Sequence, residues 1–217
     1  LAEAYKSMHS EMKFIELGLS ADTQMADTMP ENHSYAFLSS SDAHSPWPNR
    51  LGREFNRIRM QKPDFASLKK ALESRDSEDR AITLNAGLNP REGKYHCTAC
   101  ESCFSQYAIT QAEQLEWKCL KCRGNIKRGV RDRIAMLAKL ANTKEGSPKF
   151  RPPYMHLLPL AEIIQLALGT KSPNVKSVQG KWMNLIERFG SEIRILVDAK
   201  EDELQEADRA IAKKIMS

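Results

Sequence analysis

Five cysteines carry the clearest indication of chemistry in this sequence, because four of them repeat one spacing. Cys100 and Cys103 form one Cys-x2-Cys pair, and fifteen residues later Cys119 and Cys122 form a second. Each such pair presents two sulfurs to one tetrahedral ion, so this pattern is typical of a four-thiolate zinc site. The alternative is a set of buried thiols or a disulfide pair. We predict structural zinc, because four thiolates leave no coordination position open for water or substrate.

The fifth cysteine, Cys97, forms a further Cys-x2-Cys pair with Cys100, so the ligand set has one spare member. We assign Cys97 as the spare. Cys100 and Cys103 lie closer in sequence to Phe104 and Tyr107, which we expect to pack beneath the first pair.

The distribution of cysteines and apolar residues bounds the class of protein. All five cysteines of the 217-residue chain fall between positions 97 and 122, which favours metal binding in a reducing compartment over a secreted disulfide framework. The sequence contains neither an apolar run of bilayer length nor a recognisable signal peptide. A cytoplasmic protein without membrane association is therefore expected.

Positive charge is concentrated beside the second cysteine pair, although the formal net charge is only +5. Seven cations face a single carboxylate, Asp132, in this run: Lys118, Lys121, Arg123, Lys127, Arg128, Arg131 and Arg133. Such a concentration predicts contact with phosphates of a nucleic acid, and the alternative is a solvated basic face.

A second group of candidate ligands follows an apolar run near the N-terminus. Runs at 14–17 and 35–39 predict buried strands separated by a helix-length segment, as in parallel β/α architecture. Asp42 and His44 come just after the second run. If the strand continued that far, both side chains would share one face and suit a single metal ion. The alternative is a turn that Asp42 caps, with His44 merely exposed.

These residues belong to longer motifs that resemble a known family. The segment SSSDAHSPWPNRLGREFN is similar to the closing motif of the polymerase-and-histidinol-phosphatase (PHP) superfamily, in which the last metal ligands are Asp-x-His at a strand end. With FIELGLSADTQMA, PREGKYHCTACESC, KCLKCRGNIKRGVRDRI and RPPYMHLLPLAEII in the same order, nearly the whole chain resembles endonuclease Q.

The resemblance implies a function and roles for individual residues. Endonuclease Q nicks DNA on the 5′ side of deaminated bases, such as uracil and hypoxanthine, and of abasic sites. By this resemblance Asp42 and His44 are ligands of catalytic divalent metal ions (zinc, magnesium or manganese), and Glu16 lies near the active-site mouth. The same resemblance implies that the four paired cysteines bind the structural zinc of the family.

The sequence also departs from that family's pattern. PHP enzymes begin with a His-x-His pair, and this chain contains none. The chain starts at Leu1, so we expect a fragment that holds only the closing part of the barrel. Two alternatives to an enzyme therefore stay open: a zinc-containing module that binds DNA without cutting it, and a piece that requires the missing part of its own barrel.

The expected fold is α/β, in four segments. These are the closing part of a PHP-type barrel (1–62), a connector helix and loop (63–92), a zinc module with a basic helix (93–143) and a small, mostly helical domain (152–217). Within the last segment, 192–197 is predicted as a strand. Two consecutive helices there are typical of either a DNA-backbone clamp or an ordinary helical bundle.

Overall fold

The computed structural model describes residues 5–47, 49–141 and 146–216. The chain divides into two compact units, each built from two stretches of sequence. The first comprises Leu1–Ser40 and Phe55–Met155, and the second comprises Ser41–Glu54 and His156–Ser217.

A parallel strand pair opens the first unit. Strand β1 (Phe14–Glu16) pairs with β2 (Ala36–Leu38), and Ile15 stands opposite Phe37. The short helix α1 (Thr23–Ala26) and a 3-10 turn at Pro30–Asn32 lie between them, and a 3-10 helix at Lys6–Glu11 precedes β1. The predicted parallel β/α arrangement is confirmed, and the fold class is mixed α/β.

A three-stranded sheet follows, in which the strand Ile82–Gly87 lies between Phe55–Ile58 and Tyr154–His156. Strand β3 (Phe55–Ile58) runs antiparallel to β4 (Ile82–Gly87), and β7 (Tyr154–His156) lies on the other side of β4. Helix α2 (Phe65–Glu73) connects β3 to β4, and the Asp64 carboxylate accepts a hydrogen bond from the Ser67 N–H at 2.8 Å. The predicted helix and its cap are confirmed, whereas sequence periodicity did not indicate β3 or β4.

A buried ion pair joins the parallel strands to the residues that precede β7. The side chains of Arg151 and Asp27 are each 3% exposed, and Arg151 Nη2 lies 2.7 Å from Asp27 Oδ1. Arg151 also donates to the carbonyl oxygens of Tyr35 and Asn32, and its guanidinium stacks on the Phe37 ring at 3.4 Å from the centroid. The charge is thus buried together with its counter-ion and with acceptors for its remaining N–H groups.

The cysteine-rich module lies between β4 and β7 in sequence. It begins with a 3-10 turn at Pro90–Glu92 and contains a small antiparallel pair, β5 (Ala99–Cys100) and β6 (Ile126–Lys127). Helix α3 (Ile109–Gln114) separates the two cysteine pairs, and helix α4 (Val130–Ala141) follows them. Cys100, Ala112, Cys119 and Ile126 form its buried core.

The second unit is mostly helical around one apolar core. Its helices are α5 (Leu160–Leu168), α6 (Lys176–Phe189), α7 (Glu201–Ala207) and α8 (Arg209–Ile215). The core includes Leu160, Ile164, Val178 and Ile211. Helix α5 ends at Gly169, whose left-handed φ of 63° is one that glycine adopts without strain.

The predicted strand at 192–197 is wrong, because Arg194–Asp198 forms a π-helical turn. Ile195 is buried in the core of the second unit. The partly buried Glu192 begins this segment and accepts hydrogen bonds from the Leu160 N–H at 2.7 Å and from Trp182 Nε1 at 2.9 Å. Among the described residues, no helix combines the length and apolar composition needed to cross a membrane.

Candidate metal centre and nucleic-acid surface

The four paired cysteines converge on one point. Their sulfur atoms all lie within 4.8 Å of one another. The Cys100 and Cys122 sulfurs are 3.5 Å apart, as are those of Cys103 and Cys119, so each close contact joins one cysteine pair to the other. The structure therefore brings together the four predicted ligands, and Cys97 is not part of the cluster.

The two cysteine pairs adopt the same backbone turn. The Phe104 N–H donates to the Cys100 carbonyl, and the Arg123 N–H donates to the Cys119 carbonyl. Phe104 (φ 57°) and Arg123 (φ 60°) both take the left-handed conformation directly after the second cysteine of their pair. Two equivalent turns thus present two sulfurs each from opposite sides.

The dimensions of the cluster fit a tetrahedral zinc ion. With zinc–sulfur bonds of about 2.3 Å, tetrahedral geometry places the sulfurs roughly 3.8 Å apart. Gly124 leaves room for such an ion. A Cβ at that position would lie 2.8 Å from Ser102 Oγ and 3.2 and 3.3 Å from the sulfurs of Cys100 and Cys122. The donor set and its spacing suit a four-thiolate site that could hold a metal ion.

Tyr107 supports one thiolate directly. Its hydroxyl lies 3.1 Å from Cys119 Sγ and accepts a hydrogen bond from the Leu120 N–H. The hydrogen bond from Tyr107 lowers the pKa of Cys119 to about 6, which favours the thiolate that a metal requires. Tyr107 packs against the buried core that contains Cys100 and Cys119, and its hydroxyl contacts the second cysteine pair and not the first. The expectation that Phe104 packs beneath the first cysteine pair is wrong, because that ring is 56% exposed.

A short polar network fixes helix α4 to the first cysteine pair. Asp132 Oδ2 accepts from Thr98 Oγ1 at 2.7 Å and from the Thr98 N–H at 3.1 Å, and Thr98 Oγ1 accepts from the Gly129 N–H. Burial alone would raise the pKa of Asp132, but the bonds from Thr98 and Arg131 hold it below its usual value. The helix that carries part of the basic run is therefore held rigidly to the metal-binding turns.

Several cations of the basic run already have partners within the module. Lys127 pairs with Glu101 at 2.7 Å, Lys118 donates to Asn125 and Arg131 pairs with Asp132 at 3.0 Å. Hydrogen bonding to Glu101 raises the pKa of Lys127, so this lysine stays charged.

Arg128 is packed more deeply than its neighbours. Its guanidinium lies over the Trp117 ring at 5.1 Å, donates to Met136 Sδ and reaches Glu113 at 3.6 Å. The side chain is 27% exposed, so its principal contacts are within the protein.

Lys121 and Arg123 differ from those residues in being exposed at the tip of the second cysteine pair. Within the described part of the chain, neither takes part in an ion pair. Arg133 on helix α4 is also exposed and contacts Met136 Sδ at 3.8 Å. Of the seven predicted cations, these three have exposed side chains with no carboxylate or amide partner among the described residues.

Asp42 and His44 lie in a loop, because β2 ends at Leu38. His44 Nε2 is 3.2 Å from Asp42 Oδ1, and the two side chains are 88% and 63% exposed. Two ligands bound to one ion at about 2.1 Å, at right angles to each other, are roughly 3 Å apart, so this pair has a suitable separation. Arg53 Nε donates to the Ser41 carbonyl at 2.7 Å and thereby supports the loop.

Glu16 is the exposed last residue of β1. Within the residues that the structure describes, the four cysteines are the one group of three or more potential ligands close enough to share a metal ion. Asp42 and His44 are two potential ligands, and no third potential ligand among the described residues lies close enough to share an ion with them.

Sequence analysis missed one feature of the surface. Tyr95 and Phe104 are exposed aromatic residues that border the same depression, and Lys94 Nζ lies 4.7 Å and 5.9 Å from their ring centroids. The signal in the sequence is a lysine and a tyrosine just before the first cysteine pair and a phenylalanine just after it.

Comparison with known proteins places this chain beside several relatives. Residues 159–217 match the family described as the MJ0043 C-terminal domain. The protein MJ0043 of Methanocaldococcus jannaschii is 44% identical over 216 residues, which cover 97% of this chain and 26% of that protein. YqxK of Bacillus subtilis is 35% identical over 191 residues, covering 88% of this chain and 43% of the relative.

Two crystal structures match over the whole chain. The lesion-specific endonuclease PfuEndoQ from Pyrococcus furiosus is 47% identical with a TM-score of 0.88. A complex of Endonuclease Q with a 27-mer duplex substrate, with an abasic lesion at the active site, is 46% identical with a TM-score of 0.90. In both cases this chain spans 52% of the matched protein. The resemblance to the endonuclease Q family that the sequence predicts is confirmed.

Proposed function

We propose, from the likeness of this chain to one half of endonuclease Q, that it forms part of a metal-dependent DNA repair endonuclease. The observation that carries the proposal is the match over 100% of the chain, at 46% and 47% identity, to two structures of that enzyme. The proposed reaction is cleavage of the phosphodiester bond on the 5′ side of a deaminated base (uracil or hypoxanthine) or an abasic site. The proposed partner is DNA that contains such a lesion.

Asp42 and His44 are the proposed ligands of the catalytic metal ions, and Glu16 is proposed as a catalytic residue by the same resemblance. Divalent ions supply Lewis acidity and an activated water for attack on phosphorus. The loop that holds Asp42 and His44 contributes preorientation, since the two side chains already point at each other across 3.2 Å. Additional ligands must come from outside this pair, because two side chains leave most positions of an octahedral ion unfilled.

The cysteine module has a different proposed role, which is to hold cations against the DNA backbone. Structural zinc at Cys100, Cys103, Cys119 and Cys122 fixes the turn that exposes Lys121 and Arg123, and the network of Asp132 fixes helix α4 beside it. Phosphate contacts of this kind supply affinity and register without reading sequence. Swinging a target base out of the stack costs the least free energy when that base is mispaired. This difference contributes selectivity for deaminated bases.

A second candidate function is a module that binds DNA without cutting it. Among the described residues, no three side chains with oxygen or nitrogen ligand atoms lie close enough to share a metal ion. This observation favours the non-cutting module for the chain acting alone. The partner that would convert such a module into an enzyme is the remaining part of its own barrel.

Nicking assays separate these functions. We expect the 217-residue chain alone to leave uracil-, hypoxanthine- and abasic-site-containing duplexes intact with Mg²⁺, Mn²⁺ or Zn²⁺. In a protein that contains this chain and the remaining ligands, His44→Ala should abolish nicking and leave duplex binding within about twofold of wild type. His156→Ala, which removes an exposed histidine from β7, is the matched control and should nick normally. Metal-dependent nicking by the 217 residues alone would show that the catalytic site has been misplaced.

DNA binding through the module is tested by its salt dependence. Lys121→Gln together with Arg123→Gln should lower affinity for any duplex and flatten the plot of log K against log salt by about 0.9 per lost phosphate contact. Lys69→Gln with Lys70→Gln on helix α2 gives a charge-matched control. A slope that is unchanged in the first double variant would remove this tip from the DNA-binding surface.

A further inference from the structure

We infer that the depression bordered by Lys94, Tyr95, Phe104 and Lys127 binds an unpaired nucleotide of DNA, with its base stacked on an exposed aromatic ring and its phosphate beside the lysines. The inference rests on the proposed function in one respect, that the partner of this chain is DNA. It adds a binding site separate from the proposed catalytic ligands and from the tip at Lys121 and Arg123.

The aromatic side chains are placed for stacking. Tyr95 is 50% exposed and Phe104 is 56% exposed, although both belong to the rigid metal-binding module. The Tyr95 backbone is fixed, because its carbonyl accepts the Val130 N–H at the start of helix α4. About half of each residue's surface is therefore exposed on a backbone that the module holds in place. Every base has a π face, so stacking on such rings tolerates any sequence.

The charge of the depression suits a phosphate. Lys94, Lys127 and Arg128 line it, and the one carboxylate among its lining residues, Glu101, is paired with Lys127 at 2.7 Å. Lys94 Nζ lies near the faces of both rings, so its position also suits a backbone phosphate next to a stacked base. Aromatic rings interleaved with cations are the combination that single-stranded nucleic acids require.

The depression is too small to enclose a cofactor or metabolite. Its volume is about 70 Å³, whereas pockets that enclose a cofactor or metabolite measure roughly 300–1,000 Å³. A nucleotide therefore lies across the surface and is not enclosed. Contact of this type holds an unpaired base without selecting its identity.

The presence of a phenylalanine at this position of the turn supports a role for its ring in binding. Its φ of 57° is a left-handed conformation that glycine adopts freely and that is unusual for a bulky side chain. The ring gains little burial in return, since more than half of it is exposed. A strained, exposed phenylalanine contributes little to stability, so we attribute its presence to a ligand.

The test uses the zinc-loaded 217-residue chain and three DNA duplexes of one sequence. The first carries a single bulged 2-aminopurine, the second carries an abasic residue in the bulge and the third is fully paired. Fluorescence anisotropy gives the affinities, and quenching of 2-aminopurine reports stacking of the bulged base. We expect wild type to prefer the base-containing bulge to the abasic bulge by about 5- to 150-fold, the range that one base–aromatic stack supplies.

Variants assign that preference to the two rings. Tyr95→Ala and Phe104→Gly should each reduce it by about fivefold or more, with less quenching and an unchanged salt slope, because no cation is removed. Phe104→Gly also relieves the left-handed backbone, so it should keep its zinc and its melting temperature, and its lost binding cannot be assigned to unfolding. Phe65→Ala removes an 80% exposed ring from helix α2 and should change nothing.

The outcomes distinguish this inference from the proposed function. The inference is overturned if wild type binds the base-containing and abasic bulges equally well, or if its preference survives both ring variants. In either case, binding to the paired duplex leaves the proposed function standing. Failure of wild type to bind any of the three duplexes overturns both.

Discussion

Gly124→Ala tests the metal centre at its most confined point. The new methyl group would lie 2.8 Å from Ser102 Oγ, 3.2 Å from Cys100 Sγ and 3.3 Å from Cys122 Sγ. Contacts below about 3 Å force a neighbour to move, and overpacking of this kind typically costs 1–3 kcal/mol. Two of the three neighbours are proposed zinc ligands, so we expect the cost to appear in metal binding.

The magnitude converts directly to affinity. A loss of 1–3 kcal/mol corresponds to roughly 5- to 150-fold weaker zinc binding, since each 1.4 kcal/mol is a factor of ten. Competition with a chromogenic chelator measures this change in the folded chain, because zinc binding and folding of such modules are coupled. The exposed Ser102 is the nearest contact, so adding Ser102→Ala should recover part of the loss.

Alanine substitutions at two other glycines provide controls for the change in zinc affinity. Gly146→Ala adds a methyl group with no atom within 4 Å and should bind zinc as wild type does. Gly129→Ala would place its methyl group 2.2 Å from the Cys97 carbonyl carbon and 2.5 Å from the Thr98 nitrogen, so it should disrupt the module more severely than Gly124→Ala. Wild-type zinc affinity in Gly124→Ala would refute the proposed position of the ion.

Cys119→Ser should release zinc and unfold the module, whereas Cys97→Ser should retain about one zinc per chain by metal analysis, since one four-thiolate site uses four of the five cysteines; the reverse pattern would overturn the ligand assignment. Asp27→Ala should lower the free energy of unfolding in urea by about 3–5 kcal/mol, because it leaves the Arg151 guanidinium buried without its counter-ion, and a loss below 1 kcal/mol would contradict that account. Burial raises the pKa of Glu192 even though the Leu160 and Trp182 hydrogen bonds oppose the shift, so the folded state holds this proton more tightly than the unfolded chain and stability should fall as pH rises from the unfolded pKa through the folded one. Glu192→Gln should remove that slope from a series of unfolding curves, and a slope that persists would assign it to another group.

Local spacing in the sequence was sufficient to predict that Cys100, Cys103, Cys119 and Cys122 would cluster. A Cys-x2-Cys pair places both sulfurs through one short turn, and the turns at Cys100 and Cys119 share the same hydrogen bonds. Two apolar runs were likewise sufficient for β1 and β2, since continuous apolar stretches are typical of buried parallel strands.

Features that depend on distant partners were not predictable. Strand β4 contains the fully buried Asn85, whose amide donates to the Phe37 carbonyl, and no local pattern indicates such a contact. The segment before Asp198 combines Ile193, Ile195 and Val197 in a short apolar run, and periodicity alone does not distinguish a strand from a helical turn at that length. Packing in the second unit selected the π-helical turn.

The exposure of Phe104 illustrates a third limit. A phenylalanine beside a zinc-binding turn is expected to be buried, because aromatic burial is usually favourable. The left-handed backbone after Cys103 directs the ring outward instead. That conformation follows from the turn that begins at Cys100, and its effect on the direction of the Phe104 side chain cannot be read from residue types.

The contact between Asp27 and Arg151 has a consequence for synthesis of the chain. The two residues are 124 positions apart in sequence. A ribosome adds roughly 5–20 residues per second, so the segment with β1 and β2 waits on the order of 10 s before its counter-ion exists. During that interval the Asp27 carboxylate must stay hydrated, and the Phe37 face on which the guanidinium later stacks stays open. Long-range closure of this kind slows folding and prolongs exposure of apolar surface. The environment of Asp27 and Phe37 is thus completed only after residue 151 has been synthesised.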